Sequence, residues 1–358
     1  MTQVFKNITD KDHEQIVYCN DSSSGLKAII AIHSTALGPA LGGCRMYPYK
    51  NEDDALIDVL RLSRGMTYKA SIANLNLGGG KAVIIGDPKK DKSEVLLRSF
   101  GKFVDSLNGK YITAEDVGMS VHDMEFIRME TKNVTGIQRA MGGSGDPSIF
   151  TALGLYVGMQ AALKKKLNIN SMKGLKVGIQ GLGKVGYYLC ENLKKDDVEI
   201  YGYDIDKSRL NTAIEDHGLI PVSNEELLSM KLDIFSPCAL GAVINPSSIK
   251  TLKCAVVAGA ANNQLEKESR DSKLLSEKGI MYVPDYVINS GGLMNVANEL
   301  QGYNMSKAKY QVEGIYHILM RIFDYALSNN ISTLEAANHL AERRIEEFVR
   351  WNHKWIEK

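Results

Sequence analysis

Long apolar runs, paired cysteines and an excess charge of one sign are all missing from this 358-residue chain. Without a run of about 18 apolar residues, no segment reads as a membrane-spanning helix. The stretch MTQVFKNITDKDHEQ carries charges where a secretory signal needs an apolar centre, so the expected location is the cytoplasm. The five cysteines, Cys19, Cys44, Cys190, Cys238 and Cys254, are odd in number, dispersed and free of any C-x-x-C, which argues against a disulfide framework or a zinc knuckle. Seven histidines include no H-E-x-x-H pair, and no metal site is expected. With 43 basic against 42 acidic side chains, there is no electrostatic footprint for nucleic acid or an anionic membrane. Proline is scarce, at eight, whereas glycine reaches 32. Such an excess means flexible linkers or backbone held close to a ligand, and the positions of the glycines decide between them.

The length suits two domains, each able to bury its own core. In the first third, Leu26 to His33 and Ala82 to Ile85 have the length and composition of buried strands, and residues 51–64 and 93–107 have helical periodicity. Glycine and serine cluster in GGSGDPS, where Asp146 and Pro147 predict a helix start and a connector helix running from Ser148 to about Leu167. Beyond it, strands at residues 176–180, 198–203, 233–236, 255–258 and 280–283 alternate with helical stretches, the signature of a mostly parallel sheet. From Gly291 onward the pattern is helical.

One motif carries a cofactor expectation. Gly181-Leu182-Gly183-Lys184-Val185-Gly186 follows a strand and opens a helix, and Asp204 ends the next strand. That context predicts a dinucleotide site: glycines for the turn and the pyrophosphate, a helix N-terminus for the phosphates, and a carboxylate for the ribose hydroxyl. An acidic residue there favours NAD over its 2′-phosphorylated form. In the first domain, Gly78-Gly79-Gly80 precedes Lys81 and is expected to set a cation beside exposed backbone, a place for a small anionic or polar substrate. Lys69 lies twelve residues earlier. Both lysines have apolar or glycine neighbours that favour loss of a proton, although a solvated charge is the ordinary use of a lysine.

The segments LGPALGGCR, RGMTYKASIANLNLGGGKAVIIGDP, YITAEDVGM, CALGAVIN, VVAGAANNQL and PDYVINSGGLMNVANEL resemble, in order, those of the glutamate/leucine/phenylalanine/valine dehydrogenase family, and most closely its leucine branch. The resemblance runs from about Leu26 to the C-terminal helices. It implies an α/β fold: an N-terminal catalytic and oligomerisation domain over residues 1–134, completed by about 333–358, and a Rossmann-type NAD-binding domain over 135–332, with an active-site cleft between them. The implied activity is NAD-dependent, reversible oxidative deamination of an L-amino acid, foremost leucine and other branched-chain substrates, to the 2-oxo acid and ammonia.

By the same resemblance, Lys69 pairs with the substrate carboxylate, helped by backbone at Gly42 and Gly43. Lys81 activates water, and Asp116 shuttles protons. Asn262, Ser148 and Thr151 place the nicotinamide, with Asn289 a further candidate, and Leu41, Ala114, Leu293 and Val296 meet the substrate side chain. A homo-oligomer, octameric in the leucine branch, is also implied. Other uses of these residues stay open: a structural salt bridge from Asp116 to either lysine, a phenylalanine, tryptophan or valine dehydrogenase of the same family, a silent NAD-binding sensor, or oxidation of a hydroxy acid.

Overall fold

The computed structural model describes residues 12–239 and 241–356, with side chains described through Trp351. The charged N-terminal stretch up to residue 11 and Leu240 of the CALGAVIN segment lie outside the described residues. The chain divides into two compact units: Met1–Asp146 with Val296–Met305 and Ala341–Lys358, and Pro147–Asn295 with Ser306–Leu340. Contacts thus divide the chain at 146/147, 295/296, 305/306 and 340/341, where the resemblance implied 134/135 and 332/333.

The first unit holds strands β1 (Gln15–Asp21), β2 (Leu26–Ser34), β3 (Ala40–Tyr47), β4 (Gly78–Ile85) and β5 (Tyr111–Glu115), in the order β1-β2-β4-β3-β5. Its helices are α1 (Glu52–Ile72), α2 (Glu94–Ser106) and α3 (Val121–Arg128). The β2 sequence LKAIIAIH is apolar at nearly every position because both sheet faces are covered. Ala28, Ile30 and Ile32 join a core with Leu97, Phe100 and Met124 of α2 and α3, while Ile29 and Ala31 meet Leu56, Val59 and Leu60 of α1. Helix α1 begins where the Asn51 side chain accepts from the Asp54 N–H, and three acidic residues in its first turn favour the positive end of the helix dipole. It runs two turns beyond the predicted residues 51–64 and so carries Lys69 in its last turn.

The second unit begins with α4 (Ser148–Leu167). Pro147, with no side-chain cap, occupies the position expected for an Asp146 cap, because proline fixes the backbone for a helix start without one. Then follow β6 (Lys176–Gln180), α5 (Lys184–Lys194), β7 (Glu199–Tyr203), α6 (Lys207–His217), β8 (Ile220–Pro221), α7 (Asn224–Ser229) and β9 (Lys231–Pro237). Next come α8 (Pro246–Thr251), β10 (Lys253–Val257), α9 (Glu268–Glu277), β11 (Met281–Tyr282), α10 (Asp285–Ile288), α11 (Gly291–Ala297), α12 (Met305–Glu313), α13 (Ile315–Asn329) and α14 (Thr333–Ile356), of which the end of α11 from Val296, Met305 of α12 and α14 from Ala341 belong to the first unit. Every pairing in this sheet is parallel, in the order β8-β7-β6-β9-β10-β11. Numbered within the unit, that order is 3-2-1-4-5-6, the doubly wound arrangement whose ligand crevice opens where β6 and β9 diverge. Among the described residues no helix is long and apolar enough to cross a membrane.

Candidate active site

In the first unit the sheet itself assembles the charged residues. Cys44 of β3 pairs with Ala82 of β4 on one side and with Glu115 of β5 on the other. Gly43 pairs with Ala114 of β5, Lys81 immediately precedes Ala82 on β4, and Asp116 immediately follows Glu115. Lys81 donates to Asp116 Oδ2 across this gap, its side chain only 7% exposed against 19% for the carboxylate. The crossing is possible because Gly43 has no side chain: a Cβ there would stand 2.9 Å from the Asp116 Cβ and 2.7 Å from the Glu115 carbonyl.

Burial works to raise the Asp116 pKa, but the charges of Lys81 and Arg45 and the Lys81 and Val117 N–H donors prevail and hold it below its ordinary value. The carboxylate therefore contributes stability above the ordinary carboxylate range, and loses it as pH falls through the lowered pKa. The salt bridge left open by the sequence is thus present, and it joins the two residues to which acid/base roles were given.

The glycines near this pair depart from expectation. Gly78, Gly79 and Gly80 are not exposed backbone beside Lys81; they are buried residues of β4. Added Cβ atoms would lie 1.9 Å from the Ser34 carbonyl, 2.1 Å from the Thr67 nitrogen and 2.7 Å from the Tyr111 ring, respectively. Their bareness lets β2, α1 and β5 close on the strand. Gly42 is similar, with the Gly80 carbonyl in its Cβ position and its own carbonyl accepting from the Tyr111 hydroxyl at 2.6 Å. The β3–β4 register nevertheless skips Gly42 and Gly43, resuming at Cys44.

Lys69 is half-buried, one helical turn beyond Met66, whose Cγ would be 3.3 Å from a Cβ at Gly42. Leu41, Ala114 and Val296 are buried residues of this unit. Sequence reasoning missed Arg45, which bridges Asp58 at 2.9 Å and Asp116 at 3.7 Å. An arginine inside an otherwise small and apolar strand was the available signal. It also missed Glu299, whose carboxylate accepts from the Gly136 and Ser144 N–H groups and grips the glycine-serine connector.

In the second unit the fingerprint sits between β6 and α5, and its three glycines differ. Gly181 has φ +98° and faces Ala239, and a Cβ on Gly186 would meet the Gly181 carbonyl at 2.2 Å, so these two serve the turn and the helix–strand contact. Over Gly183 the nearest atom to an added Cβ is Arg209 Nη1 at 3.9 Å. Open space above the second glycine, beside a helix N-terminus without a side-chain cap, fits a pyrophosphate.

Asp204 Oδ2 accepts from the Leu182 N–H at 2.6 Å and Oδ1 from the Asp206 N–H at 2.8 Å, tying the carboxylate to the loop. Lys184 is exposed and Val185 half-buried at the start of α5. Asn289 donates both amide hydrogens, to the Ala260 carbonyl at 3.0 Å and to Asn262 Oδ1 at 2.9 Å, bringing these two candidates together. Thr151 donates to the Pro147 carbonyl, Ser148 opens α4 beside it, and a Cβ on Gly292 would meet Thr151 Oγ1 at 2.6 Å. Leu293 is buried on α11. No group of three metal-ligating side chains occurs among the described residues.

Family models match at residues 13–133, the Glu/Leu/Phe/Val dehydrogenase dimerisation domain, and at residues 203–350, the glutamate/leucine/phenylalanine/valine dehydrogenase domain. The chain belongs to this family. It is an amino acid dehydrogenase with a parallel-sheet, Rossmann-like unit, in a family dependent on NAD or its phosphorylated form. The dehydrogenase is 52% identical over 344 residues to the leucine dehydrogenase of Thermoactinomyces intermedius, covering 96% of this chain and 94% of that one. It is 49% identical to the phenylalanine dehydrogenase of Lysinibacillus sphaericus, covering 96% and 91%. The solved L-tryptophan dehydrogenase of Nostoc punctiforme superimposes with a TM-score of 0.85 at 45% identity, covering 97% of this chain and 99% of that one.

Proposed function

We propose that the dehydrogenase oxidatively deaminates L-leucine and other branched-chain amino acids with NAD, reversibly, giving the 2-oxo acid and ammonia. The carrying observation is the buried Lys81–Asp116 pair that meets across Gly43. The bound dinucleotide supplies the acceptor for the hydride leaving the α-carbon. Lys69 holds the substrate carboxylate beside the backbone of Gly42 and Gly43, where the β3–β4 register lapses. Asp116 takes and returns protons at the amino group, and Lys81 activates the water that attacks the iminium carbon. Two adjacent groups that can pass a proton between them give the site one acceptor and one donor, as this chemistry requires.

Side-chain preference follows from Leu41, Ala114, Leu293 and Val296. All four are apolar and buried, so a second carboxylate would have no partner, at a cost of about 2–7 kcal/mol even for a neutral polar group. Glutamate is therefore disfavoured as the substrate. The open space over Gly183 and the Asp204 carboxylate, whose oxygens have further acceptor capacity for a ribose hydroxyl, support NAD. Gly181, Leu182, Lys184, Val185 and Gly186 form the rest of the cradle, and Ser148, Thr151, Asn262 and Asn289 set the nicotinamide face. A cytoplasmic homo-oligomer, octameric as in the leucine branch, completes the proposal.

The test is NADH formation with a panel of L-amino acids at alkaline pH. Turnover of leucine, isoleucine or valine above phenylalanine and tryptophan is expected; activity confined to aromatic substrates would replace the leucine assignment. Lys81→Ala is expected to lower kcat by at least about 100-fold while NAD binding, read by protein fluorescence, is kept. Substantial turnover by that variant would remove Lys81 from the chemistry.

A further inference from the structure

We infer that Arg45 is a positioning residue for this reaction, a fixed cation that holds Asp116 ionised and aimed at Lys81. The inference rests on the acid/base role proposed for Asp116. Arg45 projects from β3 towards α1, where its Nη1 donates to Asp58 Oδ2 at 2.9 Å, and its Nη2 stands 3.7 Å from Asp116 Oδ2. Asp58 is itself tethered: Oδ2 accepts from the Tyr49 hydroxyl at 2.7 Å and Oδ1 from Arg61 at 3.0 Å. A guanidinium anchored by a tethered carboxylate has little freedom, so its field at Asp116 is constant. Arg45 and Asp58 are both largely buried, at 21% and 16% side-chain exposure, and the field is correspondingly little screened. The Arg45 Nε is buried with no hydrogen-bond partner, so the side chain is not placed to satisfy all of its own donors.

The groups facing Asp116 are few. Lys81 comes from β4, Arg45 from β3, and the Val117 N–H from its own loop. The Cys44 thiol and Tyr111 phenol nearby are both pushed up by burial and stay neutral, and Asp58 lies behind Arg45. Removing Arg45 therefore removes one of the two cations paired with Asp116 among the described residues. Asp116 then takes up a proton at higher pH, and the acid limb of the rate profile moves upward. Removing the Asp58 charge does the reverse, because it unmasks Arg45 towards Asp116.

The experiment is a set of pH profiles of kcat and kcat/KM for R45Q, R45K, D58N and D116N, each with a melting curve. For R45Q the acid limb is expected to rise by about one pH unit, the shift typical of losing one nearby opposite charge. Its kcat should fall while KM for the amino acid stays within about threefold, since Arg45 lies behind the reacting pair rather than on substrate. R45K should return the limb towards its original place, and D58N should move it the opposite way from R45Q. A limb that stays put in R45Q and D58N overturns the inference, whatever happens to the melting temperature, and leaves Arg45 as a strut between β3 and α1. Should R45Q fail to fold, the direction of the D58N shift decides alone. Substantial activity in D116N would instead overturn the acid/base reading beneath it.

Discussion

Glycines of the first unit lend their bareness to the protein itself: Gly79 admits the backbone of α1, Gly80 the Tyr111 ring, and Gly43 the reach of Asp116 to Lys81. In the second unit Gly181 and Gly186 do the same for the turn and helix, but Gly183 faces open space. Runs that look alike in sequence thus have two different physical uses. Where an added methyl would strike backbone, glycine is an element of packing; where it would strike nothing, beside a helix N-terminus, glycine is a place for a ligand.

The contrast breaks first at Gly79. Gly79→Ala puts a Cβ 2.1 Å from the Thr67 nitrogen, and urea denaturation should show a loss of about 3 kcal/mol, the upper part of the overpacking range. A loss below about 1 kcal/mol would mean that α1 yields easily and that the packing assignment is wrong. Gly183→Ala sharpens the other side. Its stability should stay within about 0.5 kcal/mol of the parent, as expected for an uncrowded site. NAD affinity should weaken about tenfold, roughly 1.4 kcal/mol, in a fluorescence titration. Unchanged affinity would separate Gly183 from the pyrophosphate. The smallest expected effect has the opposite sign. Gly65 lies inside α1, exposed, with nothing within 4 Å of an added Cβ, so Gly65→Ala should stabilise the protein by about 0.5–1 kcal/mol. Destabilisation there would reveal a neighbour to α1 other than those in this chain.

How much of this was legible follows the same line. The second unit announced itself because its strands are short apolar runs alternating with helical stretches, and residues 176–180 match the observed β6. The first unit hid β3 and the start of β4, since LGG and GGG carry no strand propensity and only tertiary pairing makes them extended. Helix α1 was cut short at Arg64 because Gly65 and Thr67 weaken the pattern; the helix continues with Thr67 packed on Gly79 of β4. Lys81 and Asp116 were named from resemblance, but their meeting across Gly43 depends on strand order, which no linear pattern contains. Arg45 went unassigned for the same reason.

The Asn289–Asn262 hydrogen bond has a directional consequence. The Ala260 carbonyl is only an acceptor, so it settles which end of the Asn289 amide carries hydrogen, and that in turn obliges Asn262 to present its oxygen inward. What Asn262 turns outward is its NH2 group. A neighbour at that point is met by hydrogens, a polarity that welcomes a carbonyl or carboxylate oxygen and turns away an ammonium. One buried amide thus sets the polarity of that edge of the second unit.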